Sequence, residues 1–209
     1  MTKMKFIVTA GPTREFIDPV RFLSNPSTGK MGFAVAAAAA KRGHDVVLVA
    51  GPVSLKTPKG VTRIDAVSAR DMFAAVKSAL PGADILVATA AVADWRPAAC
   101  AAKKLKKREM SGVLRLVRNP DILKTVKGVK KVGFAAETND VMSEARRKCR
   151  AKGLEFIVAN DVTQKGCGFG TDTNRVTFLR KDGSVERLPM LTKAAVAGRI
   201  VRECEGLGL

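Results

Sequence analysis

The stretch FIVTAGPTREFIDPVRFLSNPSTGKMGFAVAA, residues 6–37, decides the fold. Phe6 to Thr9 is short, apolar and rich in β-branched residues, whereas Gly29 to Arg42 is built from small helix formers, so a strand is followed by a helix. The connection between them, Gly11 to Thr28, is long for a first strand-to-helix loop, and long loops in compact domains are usually functional. Ser24, Asn25, Ser27, Thr28 and Gly29 stand where the helix begins. They supply hydroxyls, an amide and unpaired backbone N–H groups at a terminus whose dipole favours anions, so a nucleotide's phosphates are expected there. Neither GxGxxG nor GxxxxGKS/T occurs in the loop; the density of polar residues, Thr13, Glu15, Asp18, Arg21 and Lys30 among them, is what marks it. Arg21 and Lys30 are candidate phosphate partners, while Asn25 reads equally as a turn or cap residue.

Outward from this stretch the chain alternates strand and helix. A Gly43-His44-Asp45 turn leads into the apolar run Val46 to Ala50, completing a βαβ pattern. Ser68 to Leu80 carries Ser68 and Asp71 at capping-box spacing and an apolar stripe of Met72, Phe73, Val76 and Leu80. Ala83 to Ala91 is a nearly continuous apolar strand, as expected of one covered on both faces. The segment after it loses periodicity and gains charge, and residues 94–112 are expected to form a lid over the carboxyl ends of the strands. Val113 to Val117 reads as a short strand, and Asn119-Pro120 as N-cap and first residue of a helix, a second candidate anion or sugar site. Lys131 to Ala136, Leu154 to Ala159 and the basic helix Val141 to Lys152 continue the alternation. Asn174 to Leu188 forms two alternating runs around Asp182-Gly183, a hairpin turn signal, and Thr192 caps a final helix from Lys193 to Glu203. The expectation is one α/β domain over residues 1–209, Rossmann-like and doubly wound, with a mostly parallel sheet, helices on both faces and a C-terminal β-hairpin.

Composition narrows the chemistry. The chain has 209 residues, 46% of them hydrophobic, which excludes disorder as the default. No run approaches the ~20 apolar residues of a membrane span, and no signal-peptide cleavage pattern is present, so a cytoplasmic enzyme with no membrane partner is expected. Cys100, Cys149, Cys167 and Cys204 are scattered, and His44 is the only histidine. No disulfide framework, protein metal site or histidine-dependent nucleophile is therefore expected. The net charge of +18 is concentrated, with eleven basic and two acidic residues from Lys103 to Lys131 and a second cluster at Arg146, Arg147, Lys148, Arg150 and Lys152. Such charge attracts anions, but the stacking and groove-reading devices of nucleic-acid binders are absent, with no Tyr and one Trp.

The combination AGPTRExIDPVRxxSNxSxGKMG, then AAVADWRP, KKLKK, NPDIL, VGFAAET, KG and IVAND, resembles phosphopantothenate–cysteine ligases from Ile7 to Ile200 in unbroken order. The resemblance implies a two-step reaction. The carboxylate of 4′-phosphopantothenate attacks the α-phosphate of CTP, giving an acyl-cytidylate and pyrophosphate; the amine of L-cysteine then attacks the acyl carbon and CMP leaves. Positioning and charge neutralisation can supply most of such catalysis, consistent with a chain that has no obvious nucleophile.

Residue by residue, the resemblance implies that Asn25 contacts the acyl-phosphate intermediate and that Lys104 joins it in catalysis. Ala88, Asp94, Lys104, Phe134, Lys148 and Lys152, with Pro120, Asp121, Ile122 and Leu123, match nucleotide-contacting positions; Asn160 and Asp161 match positions near phosphopantothenate or cysteine. The residues themselves leave other readings open. Lys104 stands among interchangeable lysines, Phe134 reads as core, and Lys148 and Lys152 share a helical face that solvent could cover. Mg2+ is expected with the triphosphate, held by phosphate oxygens and water. The resemblance further implies a homodimer joined through the hairpin at about 174–189, and a decarboxylase, fused in many bacteria, that would here be a separate partner. ATP in place of CTP is the nearest alternative. A dinucleotide-dependent oxidoreductase is disfavoured because Ala50-Gly51-Pro52 stands where an acidic residue should follow the second strand, and a basic nucleic-acid-binding protein is more remote.

Overall fold

The computed structural model of the chain describes residues 2–109, 112–137, 140–161 and 166–208. The apolar run at the N-terminus becomes β1 (Lys5–Ala10), with five of its six residues buried, as only a strand covered on both faces can be. The long first loop is more ordered than its composition suggests. It folds into a two-stranded ribbon, β2 (Arg14–Phe16) and β3 (Phe22–Ser24), before α1 (Lys30–Lys41) begins. There follow β4 (Asp45–Ala50), β5 (Val61–Asp65), α2 (Ala69–Ala79) and β6 (Ile85–Ala88). β5 lies at the sheet edge with a largely polar, half-exposed sequence, so it carries no apolar signal. The Ser68–Asp71 capping box forms as its spacing predicts.

The region expected to be a plain lid contains β7 (Trp95–Pro97), which pairs antiparallel with β8 (Leu116–Arg118). Val113 and Leu114, read as part of a strand, are instead exposed and lie before β8, outside any strand. The short helix α3 (Ile122–Thr125) is capped by Asp121, whose carboxylate accepts the Lys124 N–H at 3.1 Å. Asn119 is therefore not the cap. Its amide donates to the Ala93 carbonyl at 2.9 Å and accepts from Arg96, because the β7–β8 ribbon draws the residue to the end of β6 before the helix starts.

The rest follows the expected alternation: β9 (Lys130–Glu137), α4 (Val141–Lys152), β10 (Phe156–Asp161), the two-residue β11 (Thr173–Asn174), β12 (Val176–Arg180), β13 (Val185–Arg187), the two-residue β14 (Leu191–Thr192) and α5 (Lys193–Gly206). Strand order in the eight-stranded sheet is β13-β12-β10-β9-β6-β1-β4-β5. Pairing is parallel from β5 across to β10, and the β12–β13 hairpin adds two antiparallel strands. α1 and α5 cover one face, where Phe6, Val8, Val87, Phe156 and Val158 meet Val35, Val196 and Ile200. α2, α3 and α4 cover the other. The chain runs outward from β1 through β4 to β5, then returns to β6 on the opposite side of β1. The strand ends therefore part at β1 and β6, the switch point at which doubly wound sheets bind ligands.

Candidate functional site

The first loop is braced across this switch point. Asp18 is buried, and its carboxylate accepts the Val20, Arg21 and Leu105 backbone N–H groups together with the Arg21 guanidinium. The Arg21 hydrogen bonds, acting against burial, hold this carboxyl far below the usual range. Arg21 also donates to the Leu105 carbonyl at 2.8 Å, so its guanidinium anchors the lid segment, and Ala101 N–H donates to Ile17 at 2.9 Å. Thr13 Oγ1 accepts from Ala93 N–H at 3.0 Å, and Pro12 forms a bridge with Ala91. Asn25 is exposed beside them; one of its amide N–H groups donates to the Ala91 carbonyl at 3.0 Å, leaving the other available.

Beneath the loop lies Gly51. A Cβ built there would fall 1.8 Å from the Pro12 carbonyl oxygen. In a dinucleotide-binding sheet an acidic residue beyond the second strand grips the ribose; here Gly51 stands at that place, with the Pro12 backbone packed directly on it.

α1 begins without a side-chain cap, at Gly29 in the left-handed region with φ 79°. Of the hydroxyls expected there, Ser27 accepts only the Gly29 N–H, at 3.4 Å, and Ser24 donates to the Thr13 carbonyl at 2.8 Å. Thr28 donates to the Phe169 carbonyl at 2.9 Å, and Lys30 donates to Gly170 at 2.9 Å and Asp172 at 2.7 Å. These contacts bring residues 168–172 to the helix start, where Gly168 and Phe169 line a partly open cavity of about 70 Å3 together with Phe134, Asn160, Asn174 and Lys193. Asn160 Nδ2 donates to the Cys167 carbonyl at 2.9 Å, yet its Oδ1 is buried without a partner, as is Oδ1 of Asn174, whose exposure is 4%. Lys193, 7% exposed, donates to the carbonyls of Gly168 at 3.3 Å and Phe169 at 3.0 Å. Burial, reinforced by nearby Lys30, lowers its pKa.

On the opposite face, α3 and α4 bring Asp121 and Lys152 together at 3.0 Å. Lys148, one turn earlier, is half-buried and engaged in an interaction of its own. The Ile122 side chain is buried in the core and Leu123 packs partly against it. Lys131 is buried beneath, donating to Leu123 and Lys152 carbonyls, and desolvation lowers its pKa. Ala88 ends β6 opposite Gly133, next to Phe134. Asp94 is exposed, and its carbonyl accepts from Asn119 N–H at 2.8 Å, which ties it to Pro120. Lys104 is exposed on the lid, next to the anchored Leu105. The Asp161 side chain lies outside the described residues.

The expected residues thus fall into two groups. Phe134 and Asn160 line the same cavity, whereas Asp94 is tied to the start of the 120–123 segment through Asn119, and Lys152, one turn after Lys148 on α4, pairs with Asp121. Asn174 and Lys193 complete the cavity although neither was singled out from sequence, because they come from β11 and α5 and carry no local motif.

Fold and site define a doubly wound α/β protein with a basic, polar crevice at its switch point. The family model described as "DNA/pantothenate metabolism flavoprotein C-terminal domain" matches residues 1–207, and the chain belongs to that family. The coenzyme A biosynthesis bifunctional protein CoaBC of Bacillus subtilis is 50% identical over 206 residues, covering 96% of this chain and 51% of that protein. The chain thus spans about half the length of the curated relatives it matches. A crystal structure of the C-terminal domain of a CoaBC superposes with a TM-score of 0.84 at 41% identity, covering 99% of this chain and 96% of that one. A Cab2 mutant in complex with phosphopantothenate-cysteine shares the fold, with a TM-score of 0.75 at 14% identity, covering 97% of this chain and 87% of the other.

Proposed function

We propose that the chain is a phosphopantothenate–cysteine ligase of coenzyme A synthesis, joining 4′-phosphopantothenate to L-cysteine through an acyl-cytidylate formed from CTP. The observation that carries this reading is the match of 96% of the chain to about half of CoaBC, combined with a switch point at which Pro12 of the first loop packs directly on Gly51 at the end of β4. In this reading the nucleotide lies across the carboxyl ends of β6 and β9. Ala88 and Phe134 flank it, Asp94 and residues 120–123 edge it, and Lys104, Lys148 and Lys152 meet its charge. Asn25 directs its free amide N–H at the acyl-phosphate oxygen. Lys104, carried on a lid that Asp18 and Arg21 anchor, neutralises charge as pyrophosphate leaves.

Mg2+ accompanies the triphosphate. It is held by phosphate oxygens and water, as a triphosphate-bound Mg2+ usually is. The proposed enzyme is a homodimer. The β12–β13 hairpin offers one edge for it, although Arg180, Glu186, Glu203 and Arg199 already pair with one another there. The exposed Val20, Phe22, Trp95 and Leu116 on the two small ribbons, with Leu114 just before β8, offer a second face. The proposed setting is the cytoplasm, with a decarboxylase as partner; among the described residues no helix is long and apolar enough to cross a membrane.

Pyrophosphate release is the test. It is expected to require CTP, phosphopantothenate and, for repeated turnover, cysteine; ATP run in parallel decides the base. Any release that ignores phosphopantothenate, or repeated turnover that ignores cysteine, would remove the ligase reading. Light scattering at micromolar concentration reads the dimer, and a monomeric mass would remove that claim.

A further inference from the structure

We propose that the small cavity between the starts of α1 and α5 is the subsite for the amino-acid substrate, in which Lys193 holds the α-carboxylate and the amide oxygens of Asn160 and Asn174 accept the amine N–H groups. This rests on the ligase reading and assigns one of its three substrates to particular side chains.

Size comes first. At about 70 Å3 the cavity is far below the several hundred Å3 of a site that swallows a nucleotide-sized ligand, and suits a group of few heavy atoms. Polarity comes second. Two amide oxygens, both on residues at least nine-tenths buried, face this space without a hydrogen-bond partner. Buried acceptors are almost always satisfied, so a pair of unsatisfied ones in one cavity calls for a ligand that brings donors. On the same wall Lys193 has two of its three N–H donors on the carbonyls of Gly168 and Phe169, and among the described residues it has no carboxylate within salt-bridge distance. Its third donor and its charge call for an anion. A ligand that supplies both N–H donors and a carboxylate is an α-amino acid.

The arrangement also suits the chemistry. A neutral amine has two N–H donors and one lone pair; two neutral oxygen acceptors take both donors and leave the lone pair for the acyl carbon. Lys30 is neutralised by Asp172, but Lys193 has no such partner among the described residues and disfavours a second positive charge beside it, so cysteine is held as the free amine, its ammonium proton having passed to water. Phe134, Phe169 and Met31 give the short thiol side chain an apolar, polarisable wall.

Cysteine and cysteamine, which lacks the carboxylate, separate the two contacts. The substitution Lys193→Met is expected to lower the ratio of kcat/KM for cysteine to that for cysteamine by at least about tenfold, since only cysteine loses a charged partner. A chain damaged in its fold loses both alike and leaves the ratio unchanged. Asn174→Leu is expected to raise KM for both amines by about tenfold or more, with the KM for CTP moving less than that. A ratio within twofold of wild type in a cooperatively melting Lys193→Met protein, or a KM for CTP that rises while that for cysteine holds in Asn174→Leu, would overturn the subsite. If Lys193→Met does not melt cooperatively, the Asn174→Leu arm decides alone. Wild-type protein that shows no pyrophosphate release with all three substrates would instead sink the ligase reading, so the two failures are distinct.

Discussion

Gly51→Ala adds a single methyl group where β4 passes under the first loop. The new Cβ would lie 1.8 Å from the Pro12 carbonyl oxygen and 2.9 Å from its carbon, whereas carbon and oxygen rest at roughly 3.3 Å, so about 1.5 Å of backbone retreat is required. The obstacle is backbone, not the end of a flexible side chain. Pro12 is bridged to Ala91, and Thr13 and Asn25 bond to Ala93 and Ala91, so the retreat disturbs the switch point as a unit. Displacement on the order of 1 Å costs about a hundredfold in a reaction that depends on positioning, and overpacking of this kind costs about 1–3 kcal/mol. For a chain of this length that corresponds to a melting temperature lower by about 2–12 °C. Pyrophosphate release and differential scanning calorimetry on the same preparation read both effects. Gly198→Ala is the control. It makes the same substitution inside α5 with no heavy atom within 4 Å of the new Cβ, and is expected to stabilise by up to about 1 kcal/mol. A Gly51→Ala protein that matches its parent in turnover and in melting would refute the claim that this close approach positions the loop.

Three further outcomes are expected. Asn25→Ala should lower kcat by about 100- to 1000-fold, as loss of one donor to developing charge does, and a steady-state assay with saturating substrates checks it. Asp18→Asn should flatten the acid limb of stability. The wild-type carboxyl is depressed by Arg21, so its contribution is complete above the ordinary carboxylate range and fades as pH falls below it, and urea melts from pH 7 to pH 3 should show the wild type losing more stability than the variant. Ser68→Ala removes one half of the α2 capping box and should cost about 1 kcal/mol, read as a lower urea midpoint with unchanged slope.

Much of the architecture was legible because it is written in local patterns. The bounds of α4 at Val141 and Lys152, the Ser68 cap, the Thr192 cap and the Asp182-Gly183 hairpin each depend on neighbours within a few residues. The first loop announced itself by an excess of polar groups over what a connector needs. β5 and the β2–β3 ribbon escaped notice because edge elements bury little and so show no apolar periodicity. The cap of α3 was misplaced by two residues, since Asn119 and Asp121 are both good caps in isolation and only the β7–β8 ribbon, which engages Asn119, decides between them.

By itself, then, the sequence determined the fold class, the importance of the first loop and, through its resemblance, the chemistry to expect. Tertiary structure alone decided what that loop's charges do. Arg21, a phosphate partner by composition, is committed to buried Asp18 and to the lid, and Lys30 to Asp172. It alone brought Asn160, Asn174 and Lys193 into one cavity. The reason is physical: periodicity records which side of an element meets a core, but which remote elements meet is set by strand order and by buried polar groups whose partners lie far along the chain.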